Sequence, residues 1–352
     1  MKSKYEALFT QEIKNSGIDV NELIDLVWGR KEATVIQHIH DVICHDPVTK
    51  FRYEYYDLDR AENFENNLRR NQRIHEYIEQ GVLPHPHMDN YGEFGSSING
   101  LIPYSVHHAM FESIFQILGS DEQIKEHWQN ILDYKITGCY VQTEIGTGSN
   151  VQGLETEAVF DKDTQEFIIH TPSVKAIKFW PGELGKMANH AVVFAKLIID
   201  DESYGIHSFF MKIRDQSTHE PLPGIEVGDL GPKYGYPEKD NGYMKFEHVR
   251  VPRSSILSRY VNVTEEGMIE LKGDPRVAYA TMLWIRVSLI TFAFRLELLN
   301  CNMAIRYGLK RTQFKSISNS NQERRIIEYQ ATQAKVTPHL AFGYSMIFMS
   351  KY

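Results

Sequence analysis

The sequence predicts an α+β multidomain protein in which a helical region, an all-β region and a second helical region follow one another. Three observations carry this. Apolar residues recur at three- and four-residue spacing from the N-terminus to about residue 137. From residue 138 to about 257 that period gives way to short β-branched and aromatic runs separated by turn formers. From about Pro275 onward the helical period returns.

The first region, 1–137, contains "NELIDLVWGR", "AENFENNLRRNQRIHEYIEQ" and "HHAMFESIFQILG", each with a helical apolar stripe. Asp121 and Gln123, following "LGS", open a further helix, "DEQIKEHWQNIL". Within this region "GVLPHPHMDNYGEFGSSING" is expected to be a long Gly/Pro/His-rich connection of the kind that borders a ligand. The second region, 138–257, begins with a hairpin about Asp161 to Thr164 in "EAVFDKDTQEFIIH". It continues through "KAIKFW", "HAVVFAKLII", "GIHSFFMKI" and "GYMKFEHVRV", a series that fits a sandwich or barrel. The third region, 275–352, holds one long helix, "YATMLWIRVSLITFAFRLELLNCNMAIRYGL". "NQERRIIEYQATQAKVTPHLAFGYSMIF" is expected as its antiparallel neighbour. Two helices alone would leave wide apolar faces, with Ile347, Phe348 and Met349 close to the last residue. The sequence therefore predicts the start of a helical bundle.

Composition narrows the function classes. The chain has 352 residues and a formal net charge of −8, which supplies no general basic field for nucleic acid or anionic membrane. Cys44, Cys139 and Cys301 lack CxxC spacing, so neither a disulfide framework nor a thiolate metal site is expected, and a reducing compartment fits. "MKSKYEALFT" has no apolar signal core, and the apolar tract from Val277 to Leu299 is interrupted by Arg286 and Arg295, so no integral membrane span is expected. "MSKY" shares two letters with a peroxisomal S-K-L ending and departs from it at Tyr352.

Four stretches are candidates for chemistry. In "CYVQTEIGTGSNVQG", Gly146, Gly148 and Gly153 lack the Lys-Ser/Thr of a P-loop and sit in no βαβ unit, so a plain turn between strands is one reading. The other is a glycine-rich turn whose backbone N–H groups, with the hydroxyls of Thr143 and Ser149, face a ligand rich in acceptors. In "KFWPGELG", Trp180 beside Pro181 and Gly182 is either core packing or a flat wall for a planar cofactor. "GPKYGYPEKDNGYMKFEHVRVPR" reads as a surface loop and one strand. "KRTQF" reads as a basic turn near a helix end, or as Arg311 on phosphate with Phe314 against an adenine. His38, His40, His85, His87, His107 and His108 form no metal pattern, and the absence of G-x-S-x-G leaves Ser-His-Asp hydrolysis without support.

Taken together, "CYVQTEIGTGSNVQGLETEAVFD", "SVKAIKFWPGELGKMANHAVVFAKL" and "GDLGPKYGYPEKDNGYMKFEHVRVPR", with "AIRYGLKR" and "EYQATQAK", resemble the acyl-CoA oxidases. These are peroxisomal, FAD-dependent enzymes of the acyl-CoA dehydrogenase superfamily. The resemblance implies a truncated acyl-CoA dehydrogenase-like fold and the α,β-dehydrogenation of fatty acyl-CoA to trans-2-enoyl-CoA. It implies that O2 is reduced to H2O2, that the full-length protein is a homodimer, and that the compartment is the peroxisome. By position, Thr143 with Gln142 beside it, and Gly182 with Trp180 before it, match the flavin-contacting residues. Ser149 resembles the serine of the dehydrogenases' "GAGSD", near the pyrophosphate. Arg311, Gln313 and Phe314 resemble their Arg-x-Gln-Phe, which reaches FAD of the neighbouring subunit. Where the dehydrogenases carry threonine, Gly182 is expected to open space for oxygen beside the flavin edge. The family's glutamate base is expected beyond residue 352, and Glu144 is expected to be a structural carboxylate. An acyl-CoA dehydrogenase, and a non-catalytic subunit pairing with a full-length partner, are the alternatives.

Overall fold

A computed structural model describes residues 4–86, 91–98, 104–273, 277–315 and 322–350. The chain divides into two compact units, Ile39–Met282 and the pair of segments Met1–His38 and Leu283–Tyr352. The element order is helical, then β, then helical.

The helices of the first region are α1 (Lys4–Ser16), α2 (Val20–Trp28), α3 (Arg30–His45), α4 (Arg60–Glu79), α5 (Tyr91–Ile98), α6 (Glu112–Leu118) and α7 (Asp121–Leu132). Their starts are set by local side chains. Asp59 caps α4 and Ser120 caps α7, each in a reciprocal capping box with the third helical residue, Glu62 or Gln123. The Gly/Pro/His-rich stretch is not a connection throughout. Its residues Tyr91–Ile98 form α5, because Phe94 and Ile98 lie one turn apart and bury against Ile39, Ile43, Ile74 and Leu83. His87, in the same stretch, lies outside the described residues.

The β region contributes β1 (Gly138–Val141), β2 (Glu157–Asp161), β3 (Glu166–His170), β4 (Lys178–Phe179), β5 (His190–Ile199), β6 (Glu202–Lys212), β7 (Ile225–Asp229), β8 (Gly242–Phe246) and β9 (Val249–Pro252). The short strands β10 (Val261–Val263) and β11 (Ile269–Leu271) follow. One sheet runs β1-β5-β2-β3-β9 with β6 also on β5, and a second runs β4-β8-β7. The hairpin expected about Asp161–Thr164 is β2–β3, antiparallel in register from Glu157↔His170 to Asp161↔Glu166. The region is not purely antiparallel, because β1 and β2 both lie parallel to β5 along successive halves of it.

Alternation along these strands sorts the core into two faces. Cys139, Val141, Ala191, Val193, Phe209 and Met211 face one cluster, which also holds Met244, Phe246 and Ile225 of the second sheet. Tyr140, Val192, Phe194 and Phe210 point the other way, onto Phe111, Phe115 and Ile131 of the helical layer. The large sheet is thus sandwiched between a small sheet and helices, which leaves the C-terminal end of β1 and its neighbours to carry the loops.

The remaining elements are α8 (Val277–Lys310), β12 (Thr312–Lys315), β13 (Glu323–Arg325) and α9 (Gln330–Ser350). α9 starts later than the sequence suggested, since Glu323–Arg325 pair with β12 as a hairpin strand. A Cβ on Gly343 would meet Leu298, His339 Nδ1 lies 2.5 Å from Glu297 Oε1, and Gly308 lies against Ile327, so α8 and α9 run antiparallel. Val27, Phe294 and Ile347 form the small core of this unit, while Leu289, Leu296, Leu299, Phe342 and Met349 remain exposed. Among the described residues no helix is long and apolar enough to cross a membrane.

Buried titratable groups beneath the sheet predict acid lability. A π-helical turn, His107–Phe111, buries His107 and His108 and leads into Glu112. His107 Nδ1 accepts from Gly138 N–H (3.0 Å), and His108 Nδ1 lies 2.9 Å from Glu112 Oε1. Burial, aided by the neighbouring His108, pushes His107 down to about 3, and burial pushes His190 down to about 4. An unfolded histidine binds its proton near pH 6.5, so between there and about pH 4 the unfolded chain binds more protons and stability falls as pH falls. Each such group contributes a slope approaching about 1.4 kcal/mol per pH unit. Urea midpoints are expected to drop across that window, and His107→Gln to flatten the drop.

Candidate functional site

β1 ends at Val141 and delivers the glycine-rich loop. Gln142 is buried, and its carbonyl accepts from Lys178 Nζ at 3.1 Å. Thr143 is half-buried, its carbonyl accepts from Phe179 N–H at 2.9 Å, and its hydroxyl makes no hydrogen bond among the described residues. The loop then turns tightly. The N–H groups of Glu144 and Thr147 are exchanged with each other's carbonyls, Ile145 N–H goes to Ile177, and Gly146 N–H goes to Lys175. The first half of the loop therefore offers a ligand none of these four N–H groups. The second half differs: Gly148, Ser149 and Asn150 are exposed, and their amides find no acceptor among the described residues. A Cβ on Gly148 would meet nothing within 4 Å. Three successive free N–H groups with a serine hydroxyl form an acceptor-binding edge.

The acid beside Thr143 is not part of that edge. Glu144 is 2% exposed and Lys178 fully buried, and they pair at 2.9 Å. Glu144 also accepts from the N–H groups of Glu155 (2.8 Å) and Thr156 (3.0 Å) and from the Thr156 hydroxyl (2.6 Å). Burial works against its charge, but Lys178 and these donors hold its carboxyl below the ordinary range. Lys178 spends its other bonds on the carbonyls of Gln142 and Phe194, and burial lowers it to about 8 against the pull of Glu144. A carboxylate with three such donors and a buried cation is a strut and a poor proton acceptor. The lysine is the residue that sequence reasoning missed. Its only signal was a cation inside the otherwise strand-like "KAIKFW".

The second motif adjoins the first through the Phe179–Thr143 bond. Trp180 holds a φ of 85°, left-handed for a residue with a side chain, and is 53% exposed. Its backbone is held by Gly242 (Trp180 N–H to the carbonyl, 3.0 Å) and by Asn241 Nδ2 donating to its carbonyl at 2.6 Å. Such a conformation costs of order 1–3 kcal/mol and persists only where its surroundings fix it. Here the outcome is an indole face held out toward solvent.

Gly182 corrects one expectation. A Cβ there would lie 2.9 Å from Val106 Cγ2 and 2.7 Å from Lys239 Cε, so the absent side chain faces packed atoms and opens no space. Gly182→Thr is expected to lower stability by about 1–3 kcal/mol, as overpacking does, read as a shift in denaturant midpoint. Below Gly182, the Glu183 carboxylate accepts from Val106 N–H at 3.1 Å and pairs with Lys239, whose Nζ also donates to Ser105 Oγ at 2.8 Å. Asp240 accepts from the N–H groups of Lys186 (3.1 Å) and Met187 (3.0 Å), and Arg214 donates to the carbonyls of Leu184 (2.8 Å) and Gly185 (3.1 Å). "GPKYGYPEKDNG" is thus only partly a surface loop. Tyr234 and Tyr236 are exposed, but Lys239 and Asp240 are buried beneath the "PGELG" turn.

Arg311, Gln313 and Phe314 lie in the other compact unit and are described by themselves. They are not a turn: Thr312–Lys315 form β12, with a bulge between Gln313 and Lys315. Phe314 occupies that bulge at φ 59° and is 71% exposed, while Arg311 donates to Gln313 Oε1 at 3.1 Å.

Comparison with known proteins bears on this arrangement. The acyl-coenzyme A oxidase N-terminal model matches residues 19–137, and the acyl-CoA oxidase C-alpha1 domain model matches residues 279–352. The peroxisomal acyl-coenzyme A oxidase 1 of Mus musculus is 36% identical over 90% of this chain and 48% of its own length. Among solved structures, an acyl-CoA oxidase from tomato superimposes with a TM-score of 0.91 at 35% identity, covering 97% of this chain and 52% of that one. Acyl-CoA oxidase-2 of Caenorhabditis elegans, bound with FAD, ascaroside-CoA and ATP, gives 0.93 at 31% identity, covering 99% and 53%. The chain spans about half the length of the curated relatives it matches.

Proposed function

The chain belongs to the acyl-CoA oxidase family, and from that membership we propose that it supplies the flavin-facing wall of an enzyme that dehydrogenates fatty acyl-CoA. The observation that carries this is the bonded pair of motifs. Thr143, with a free hydroxyl, is joined to Phe179, and next to Phe179 an exposed indole is held in a strained backbone. These residues fit FAD. Gln142, Thr143, Trp180 and Gly182 would lie along the ring, and Ser149 with the free amides of Gly148–Asn150 toward the pyrophosphate. Arg311, Gln313 and Phe314 would reach FAD in a second subunit of a homodimer. When bound, FAD supplies the acceptor for the β-hydrogen of the thioester, and O2 takes the electrons on to H2O2. The product is a trans-2-enoyl-CoA, the first step of β-oxidation, and the compartment is the peroxisome, as in the names of the relatives. Residues 1–137, 138–257 and 275–352 serve as its domains.

The α-proton needs a carboxylate that these motifs do not offer. Glu144 is saturated by donors, and Glu183 is buried against Lys239. The resemblance to the acyl-CoA oxidases implies that the base would be a glutamate outside residues 1–352. The same saturation favours a second reading, in which this chain pairs as a non-catalytic subunit with a full-length partner. Both readings are separated by incubating the purified chain with FAD and palmitoyl-CoA and measuring H2O2. Slow release, lower than an intact family member by about the 10²–10⁴-fold that a general base contributes, supports the enzyme reading. Bound flavin with no peroxide supports the subunit reading. A folded chain that binds no flavin contradicts both.

A further inference from the structure

The end of β3 and the β8–β9 turn bring together three groups that the flavin reading does not use. β3 pairs with β9 from Glu166↔Pro252 to Ile169↔Val249, so the next residues along that register are His170 and His248. Their imidazoles stack with centroids 3.9 Å apart and 17° between the ring planes. Glu247 adjoins them, with Oε1 3.3 Å from His248 Nδ1. One ligand atom from each of His170, Glu247 and His248 lies within 4.8 Å of the other two. His170 Nδ1 is shielded from water and has no hydrogen-bond partner, a state that buried polar atoms rarely keep.

The scaffold around them is firm. Thr171 N–H donates to the Phe246 carbonyl at 3.0 Å, Phe246 N–H donates to Thr171 Oγ1 at 3.0 Å, and Glu247 N–H donates to the Gly224 carbonyl at 2.8 Å. His248 sits at φ 50°, a left-handed conformation uncommon for a residue with a side chain. Lys245 Nζ lies 3.8 Å from Glu247 Oε2, but it is 42% exposed and free to swing away.

We propose that His170, Glu247 and His248 form a binding site for a divalent transition-metal cation of the zinc type. Two imidazole nitrogens and one carboxylate oxygen are the donors zinc prefers, with water completing a tetrahedron. Calcium and magnesium, which take oxygen ligands, are disfavoured by the same set. Ligand atoms on a tetrahedral zinc stand about 3.3 Å apart, given bonds of about 2.0–2.1 Å, so the groups draw together, and because stacked, near-parallel rings aim their in-plane lone pairs past one another, the His248 imidazole turns out of the stack to meet the ion. Glu247 and His248 are both exposed and can make that movement. The bound ion ties the end of β3 to the turn before β9.

The test uses the full chain, stripped with a chelator, dialysed, and titrated calorimetrically with ZnCl2 and separately with MgCl2. The expected result is one zinc site, no comparable magnesium binding, and a Tm raised by zinc. His248→Asn keeps a residue that tolerates the left-handed backbone, and Glu247→Gln removes the charge. Each should weaken zinc binding at least as much as the roughly 10–100-fold lost with a ligand's supporting group, and His248→Asn should abolish the Tm shift. Unchanged zinc affinity in both variants would place the ion elsewhere, for example at His85, His108 and Glu112, and would overturn the proposal. So would a wild-type chain that takes up no zinc, or that binds magnesium equally well.

Discussion

Lys178→Met lowers the stability of the chain by about 3–5 kcal/mol, the loss expected when one member of a buried ion pair is removed. The variant leaves Glu144 buried with its strongest partner gone, and it frees the carbonyls of Gln142 and Phe194 that Lys178 Nζ had bonded. Met fills similar volume, so the effect is electrostatic and no cavity contributes. Pairing it with Glu144→Gln should recover much of the loss, because an amide is far easier to bury than a carboxylate. Denaturant midpoints for the two single variants and the double variant measure this. The pH dependence gives a second readout. Lys178 is held at about 8 by burial, below an unfolded value near 10.4. Between those values the unfolded chain binds the extra proton, so Lys178 makes stability rise with pH there. The Lys178→Met variant should lack that rise.

Lys239→Met is expected to be the next most damaging change, and to act on the proposed flavin wall. Glu183 is 1% exposed, and burial already raises its pKa against the opposing charge of Lys239. Without that cation the carboxylate keeps the Val106 N–H and a long bond from the Ser105 hydroxyl, at a loss of about 3 kcal/mol near neutral pH. Taking up a proton relieves the buried charge. The folded variant then binds a proton that the unfolded chain releases above about pH 4.3, so its deficit should shrink as pH falls toward that value. Because Glu183 follows Pro181 and Gly182, the variant should also loosen the turn that holds out Trp180, and weaken flavin binding at unchanged overall fold. A deficit independent of pH would show that Glu183 is not the group responsible.

The order of regions was legible because periodicity follows burial. The alternation in "HAVVFAKLII" sorts onto the two faces of β5, and "DEQIKEHWQNIL" starts at the capping serine that its sequence offers. The motifs were legible as segments but not as geometry. Nothing in "CYVQTEIGTGSN" told which amides are consumed by the turn and which stay free, since that depends on the carbonyls of Lys175 and Ile177, some thirty residues later. Lys178, Lys239 and Asp240 were unreadable for a related reason. A charged residue in a strand or a turn-rich loop normally faces water, and only the partner from a distant segment makes its burial affordable. Phe94 and Ile98 show the converse: glycine-rich surroundings hid a short helix that tertiary packing stabilises. His170 and His248 are neighbours only through strand register.

Flavin fluorescence on titrating FAD into the purified, folded chain separates a built flavin wall from a mere likeness of motifs. The predicted result is saturable quenching, with Trp180→Ala weakening both binding and quenching while the circular dichroism stays unchanged, because the indole is half exposed and contributes little to the core. A folded chain whose FAD signal never saturates, or a Trp180→Ala variant that binds and quenches as the wild type does, would contradict the placement of the cofactor along Thr143, Trp180 and Gly182.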